Sequence, residues 1–268
     1  MKRILTIAGS DSGGGAGIQA DIKTISALGC YASSAVTAVT AQNTLGVTAV
    51  EPLSTDMIEK QIRAVLDDIG ADAIKIGMLA TAEIVELVAS LMKEYEPPFI
   101  VLDPVLVATS GDVLTGGSAA EAIITWLMPL ATVVTPNIPE AERLTGLHIV
   151  SEADYGPVWE AFRQQGARAL LLKGGHLSSD ELTDTLFTVR EQSPHIYTHR
   201  RIDTKNTHGT GCTLSSAIAC HLAQGHPLAR AVGHATDFIH RAIEAGQDLH
   251  IGEGHGPVDH FFRYRQNR

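Results

Sequence analysis

The sequence predicts an α/β protein with a doubly wound, mostly parallel sheet, helices on both faces and a small antiparallel addition. Three observations lead there. Short apolar runs alternate with segments of helical periodicity along the whole chain. The runs are continuous rather than alternating, as in strands covered on both faces. The glycine and polar residues collect after the strands, at Gly9 to Gly17, Gln42, Met78, Asp103, Asn137, Lys173 and Gly209 to Cys212. Ligands of such sheets bind beyond the carboxyl ends of the strands, so a site is expected at that edge.

The elements follow in order. Arg3–Ala8 reads as a strand entering the loop Gly9–Gly17, and a helix follows through Ile18, Ile22, Ile25 and Leu28 to Gly29. Tyr31–Ala41, small and β-branched, is a second strand running into Gln42-Asn43-Thr44, and Val47–Pro52 is a short third. Ser54 and Thr55 cap a helix over Met57–Ile69, Ala73–Ile76 is a buried strand, and Thr81 opens a helix to Tyr95 that Pro97-Pro98 stops. Phe99–Leu102 is a strand ending in Asp103-Pro104, Gly116–Leu130 a helix, and Ala131–Val134 a strand ending in Thr135-Pro136-Asn137. Helices over Glu140–Leu144 and Trp159–Gln165 flank the strand Ala169–Leu172, which ends in Lys173-Gly174-Gly175. Leu186–Arg190 and His195–Arg200 form the antiparallel piece. The helix beginning near Thr213 and that over Pro227–Ala245 complete the order, before a glycine-rich then aromatic tail, Gly252–Phe262. With no repeat and no linker, residues 1–268 read as one domain.

Composition narrows the function. Hydrophobic content of 44% with 19% charged residues is that of a soluble globular chain, and no apolar run approaches membrane-spanning length. A formal net charge of −10 argues against a nucleic-acid partner. It leaves room for a nucleotide, whose phosphates backbone amides and a metal ion can hold. Cys30, Cys212 and Cys220 are an odd set without metal-ligand spacing, and nothing at Met1-Lys2-Arg3 resembles a signal peptide. A reducing, cytoplasmic location is expected.

The chain turns on Asp203–Cys220. Gly209 and Gly211 let the backbone curl into a helix, so the amides of Gly209, Thr210, Gly211 and Cys212 offer an anion cradle. Cys212 stands in the same field, where a helix start is expected to lower its pKa and make it a base or nucleophile. The bland alternative is an ordinary loop with a buried cysteine. Asp21, one turn past Gly17, suits a polar ligand or simply the helix dipole. Asp103 is placed to aim a carboxylate at a metal or hydroxyl, or to cap a turn. Asn137 and Glu140, three apart at a helix start, suit Mg²⁺ through its waters or a capping box. Lys173 ends an apolar strand, as a phosphate ligand or a solvated lysine.

Several stretches carry a resemblance. Thr6–Asp21, Thr40–Thr44, Lys75–Leu79, Thr135–Ala141, Leu172–His176, Lys205–Leu214 and Gly254–Phe261 resemble the hydroxymethylpyrimidine (phosphate) kinases of thiamin synthesis, in the ribokinase-like superfamily. Most sugar kinases of that superfamily carry Gly-Ala-Gly-Asp where this chain has Gly-Thr-Gly-Cys. The resemblance implies that Gln42 reads a pyrimidine edge, with Gly9, Ala16, Asp21, Met78 and Val105 around the ring. It implies that Asn137, Glu140, Lys173 and Asp103 serve ATP and Mg²⁺, and that Cys212 takes the substrate hydroxyl proton. It also implies two successive phosphorylations, of the alcohol and then its monophosphate, by a homodimer. Rival readings are a pyridoxine or pyridoxal kinase on the same scaffold, a Rossmann NAD-dependent oxidoreductase suggested by Gly13–Gly17, and an acyl-transfer enzyme using Cys212 with His208.

Overall fold

The computed structural model describes residues 1–106, 117–174 and 181–265. In chain order the sheet strands are β1 (Arg3–Asp11), β2 (Tyr31–Asn43), β3 (Gly46–Pro52), β4 (Ala73–Ile76), β5 (Ile100–Leu102), β6 (Val133–Val134), β7 (Ala169–Lys173), β8 (Glu181–Thr188) and β9 (His195–Arg200). The helices are α1 (Gly17–Ala27), α2 (Thr55–Asp68), α3 (Ala82–Tyr95), α4 (Gly117–Ala122), α5 (Ile138–Thr145), α6 (Tyr155–Gln164), α7 (Thr210–Ala223) and α8 (Leu228–Gly246). Among the described residues the strands form one sheet in the order β3-β2-β1-β4-β5-β6-β7-β8-β9. The pairs from β2 across to β7 are parallel. Both edges are antiparallel: β3 on β2, and β8 on β7 with β9 beyond.

The continuous apolar runs have a simple origin. Leu5, Ile74, Leu102, Val134 and Leu170 face one side, packed with α2 through α6. Their neighbours Ile4, Ala73, Val101, Val133 and Leu171 face the other, under α1, α7 and α8. Alternating side chains therefore enter two cores rather than one core and solvent.

Two expectations change. The helix expected over Gly116–Leu130 has its first residue outside the described ones. From Gly117 it makes the short α4, then a wide π turn over Ile123–Leu127 and a 3₁₀ turn over Met128–Leu130. Pro129 has no N–H to continue the ladder. The second is that α7 starts three residues early, at Thr210, because Gly209 caps it at φ +83°. Gly175-His176 of the strand-end motif lie outside the described residues.

Candidate active site

The carboxyl ends of the central strands and the start of α7 enclose one cavity of about 760 Å³. Its floor is the loop into α7. A Cβ on Gly209 would stand 1.8 Å from the Gly15 carbonyl, so only glycine lets this loop lie on the N-terminal one. The tail clamps the loop from behind. Asn206 Nδ2 donates to the Gly246 and Leu249 carbonyls, both at 2.8 Å, and the His208 N–H donates to the Gly256 carbonyl at 3.0 Å. At the helix start the Thr213 N–H donates to the Gly209 carbonyl at 2.9 Å, and the Thr210 N–H leans on Thr207 at 3.3 Å. The amides that helix geometry leaves for a ligand are then those of Gly211 and Cys212.

Two buried ion pairs stand beside it. Lys173 Nζ lies 3.2 Å from Asp103 Oδ1, and Ser215 donates to the other Asp103 oxygen at 3.2 Å. Burial works against the Asp103 charge, but Lys173 and Lys75 hold the carboxyl below its ordinary range. A Cβ on Gly211 would meet Lys173 Nζ at 3.2 Å, which puts the lysine at the rim of the cradle. Deeper, Lys75 and Asp21 pair at 3.0 Å with both side chains fully buried. Thr6 and Ser216 also donate to Asp21, at 2.6 and 2.7 Å. Burial disfavours the Lys75 charge, yet Asp21 keeps the ammonium above its usual range. Lys75 lines the cavity; Asp21 does not. The expectation that Asp21 touches substrate is corrected: its oxygens are taken by Lys75, Thr6 and Ser216, so it holds Lys75 in place.

Asp11 closes β1. Its carboxylate accepts from the Gly13, Gly15 and Ala16 amides at 2.8, 3.0 and 2.8 Å, and lies 2.9 Å from His208 Nε2. Burial resists the charge, but these donors keep Asp11 below the usual carboxylate range. The N-terminal glycine loop thus spends its amides on an internal carboxylate, not on a pyrophosphate. Gln42 Nε2 is 3.3 Å from the same His208 nitrogen, and Thr40 Oγ1 is 3.2 Å from Gln42 Oε1. Gly9, Ala16, Met78 and Val105 line the same cavity, and a Cβ on Gly9 would collide with Met78 Cε at 2.4 Å.

Cys212 lines the same cavity and sits half-buried. The expected lowering of its pKa is reversed. Burial pushes the thiol up to about 12 against the attraction of Lys75, and Asp21 and Asp103 add repulsion. A helix start is worth only about 0.3–1 kcal/mol, too little to offset dehydration and two carboxylates. His208 is committed to Asp11, so it does not activate Cys212 for acyl transfer.

Asn137 and Glu140 make the capping box. Asn137 Oδ1 accepts from the Glu140 amide and Glu140 Oε2 from the Asn137 amide, both at 2.9 Å. They also line the cavity, so the capping box does not remove them from it. Burial lifts the Glu140 carboxyl to about 7. One cavity thus gathers Gly9, Ala16, Gln42, Met78, Val105, Asp103, Asn137, Glu140, Lys173, Gly209, Thr210, Gly211 and Cys212. Sequence reasoning missed Asp11 and Lys75, and weighed His208 only as a partner of Cys212. Lys75 carried a usable signal, a lysine inside an apolar strand like Lys173, whereas the partners of Asp11 and His208 lie 197 residues apart.

The sequence pattern of the family described as phosphomethylpyrimidine kinase matches residues 11–259. The chain belongs to that family. It is similar to the hydroxymethylpyrimidine/phosphomethylpyrimidine kinase of Rhizobium meliloti, 50% identical over 265 residues that cover 97% of each chain. Among solved structures it is similar to phosphomethylpyrimidine kinase from Clostridium difficile, with a TM-score of 0.80 and 45% identity over 91% of this chain and 100% of that one. It also matches an ADP complex of Bacillus subtilis pyridoxal kinase, with a TM-score of 0.90 and 35% identity over 99% of this chain and 100% of that one. Kinase membership sets aside the oxidoreductase and acyl-transfer readings. Among the described residues no helix is long and apolar enough to cross a membrane.

Proposed function

We propose that this chain transfers the terminal phosphoryl group of ATP to 4-amino-5-hydroxymethyl-2-methylpyrimidine and then to its monophosphate. The observation that carries the reading is one cavity lined together by Gln42, Met78 and Gly9, by Lys173, and by the start of α7 with Cys212. Phosphoryl transfer is mostly positioning and charge stabilisation. The Gly211 and Cys212 amides and the Lys173 ammonium would meet the phosphoryl oxygens. Cys212 would accept the hydroxyl proton, which its raised pKa makes possible only when the thiol ionises.

Asp103, Asn137 and Glu140 offer hard oxygens to Mg²⁺, but each already accepts a hydrogen bond within the protein. That fits a hydrated ion carried in on the triphosphate, held by these residues through its waters. Bound there, Mg²⁺ would neutralise phosphate charge. We further read the chain as a cytoplasmic homodimer, on the family resemblance and three free thiols; sedimentation of the purified protein tests the dimer.

A coupled ATP-consumption assay with the pyrimidine alcohol, its monophosphate and pyridoxine tests the activity. Turnover of both pyrimidines above pyridoxine is expected. A preference for pyridoxine would replace the reading with the vitamin B6 alternative, which the likeness to pyridoxal kinase favours.

A further inference from the structure

His208 joins three separated pieces of chain: the loop into α7, Asp11 at the end of β1, and Gln42 at the end of β2. We propose that His208 is a specificity-determining positioning residue, whose Nε2 proton sets which way round Gln42 presents its amide to the substrate. The proposal rests on the reading of Gln42 as the residue that faces the pyrimidine.

The assignment follows from counting protons. Asp11 takes N–H donors on both oxygens, and Oδ2, which already accepts from Gly15 and Ala16, lies 2.9 Å from His208 Nε2. An ionised carboxylate only accepts, so Nε2 carries a proton and donates. The Gln42 atom 3.3 Å from that nitrogen must then be an acceptor, because an amide NH₂ there would set hydrogen against hydrogen.

Thr40 makes the same demand from the other side. Its single hydroxyl proton goes to the Ser10 carbonyl at 2.7 Å, so toward Gln42, at 3.2 Å, it offers a lone pair. A half turn of the Gln42 amide, whose oxygen and nitrogen are nearly alike in shape, satisfies both neighbours. Oε1 then faces His208 and Nε2 donates to Thr40. One amide N–H on the Thr40 side and one Oε1 lone pair on the His208 side remain for a ligand. The matching edge has an acceptor beside a donor, as a ring nitrogen beside an exocyclic amine. The clamp of the His208 backbone on Gly256 fixes the ring that enforces this order.

The test is a double-mutant cycle of His208→Ala and Gln42→Ala, with KM measured for hydroxymethylpyrimidine, pyridoxine and ATP. His208→Ala is expected to raise KM for the pyrimidine alcohol about tenfold or more, leave KM for ATP within about twofold and narrow the preference over pyridoxine. In the Gln42→Ala background the same change is expected to add less than about twofold, since a residue acting through Gln42 has nothing left to orient. His208→Gln, which can return an N–H to the position of Nε2, is expected to restore most of the loss. An equal His208 effect in both backgrounds, or one falling on ATP and both alcohols alike, overturns the proposal. If His208→Ala does not fold, the ¹⁵N spectrum of the intact protein decides: Nε2 protonated supports the proposal and Nε2 bare overturns it. If the wild type phosphorylates pyridoxine but not the pyrimidine, the functional reading fails separately. The spectrum, and the cycle run on pyridoxine, still judge His208.

Discussion

Cys212 stands where a helix start, the Lys75 ammonium and the Asp21 and Asp103 carboxylates meet. Dehydration and the carboxylates leave its thiol protonated, at about 12. Replacement by serine is expected to cut kcat by about 10²–10⁴, the usual worth of a positioned base, with KM for ATP almost unchanged. The base form is scarce at neutral pH, so kcat is expected to rise with pH through and beyond neutrality. Cys212→Asp brings a base that ionises at far lower pH and is expected to flatten that rise; pH–rate profiles of the two proteins check it. Lys75 tests the same neighbourhood through stability. Lys75→Met leaves Asp21 buried without its cation and is expected to cost about 3–5 kcal/mol in denaturant unfolding. At this scale the sequence revealed residue types better than roles. Cys212, Lys173 and Asp103 were legible because each ends or follows an element at the right edge. The inward turn of Asp21 was not, because Ser216 comes to it from 195 residues away.

Among the elements, the α7 start and the N-terminal loop form one unit through contacts at glycine. Gly209→Ala is expected to lower kcat/KM at least about tenfold and destabilise the protein by about 1–3 kcal/mol, because the added carbon meets the Gly15 carbonyl at 1.8 Å in a backbone at φ +83°. Activity assays and thermal melts read the two effects. Strand and helix order was legible because burial on both faces writes itself as unbroken apolar runs. The antiparallel edges were harder. The sequence places β8 from Leu186, but it begins at Glu181, and Leu182 alone among Glu181–Thr185 is apolar, too little for an apolar run. The π turn over Ile123–Leu127 gave no warning either, since its β-branched and aromatic residues lower helix propensity without saying which hydrogen-bond pattern replaces the α-helix.

Across the whole molecule, buried ionisable groups pull stability in opposite directions with pH. Burial lowers His221 and His260 to about 4, from 6.5 when exposed. Between those values the unfolded chain takes up protons that the folded one refuses, so this stability is whole above about 6.5 and falls as pH drops toward 4. Burial raises Glu140 to about 7 and Asp184 to about 6, so their contribution instead declines as pH climbs from the ordinary carboxylate range. His260→Gln is expected to narrow the melting-temperature gap between pH 7 and pH 5 relative to the parent protein; an unchanged gap would show that His260 is not the sensor.

The tail adds a temporal consequence. The loop into α7 rests on the Gly256 carbonyl and the Gly246–Leu249 turn, so all nine strands among the described residues, the last ending at Arg200, are synthesised before this seat is. Newly made molecules would stay catalytically silent until residues 246–256 have been translated and have folded back against the loop.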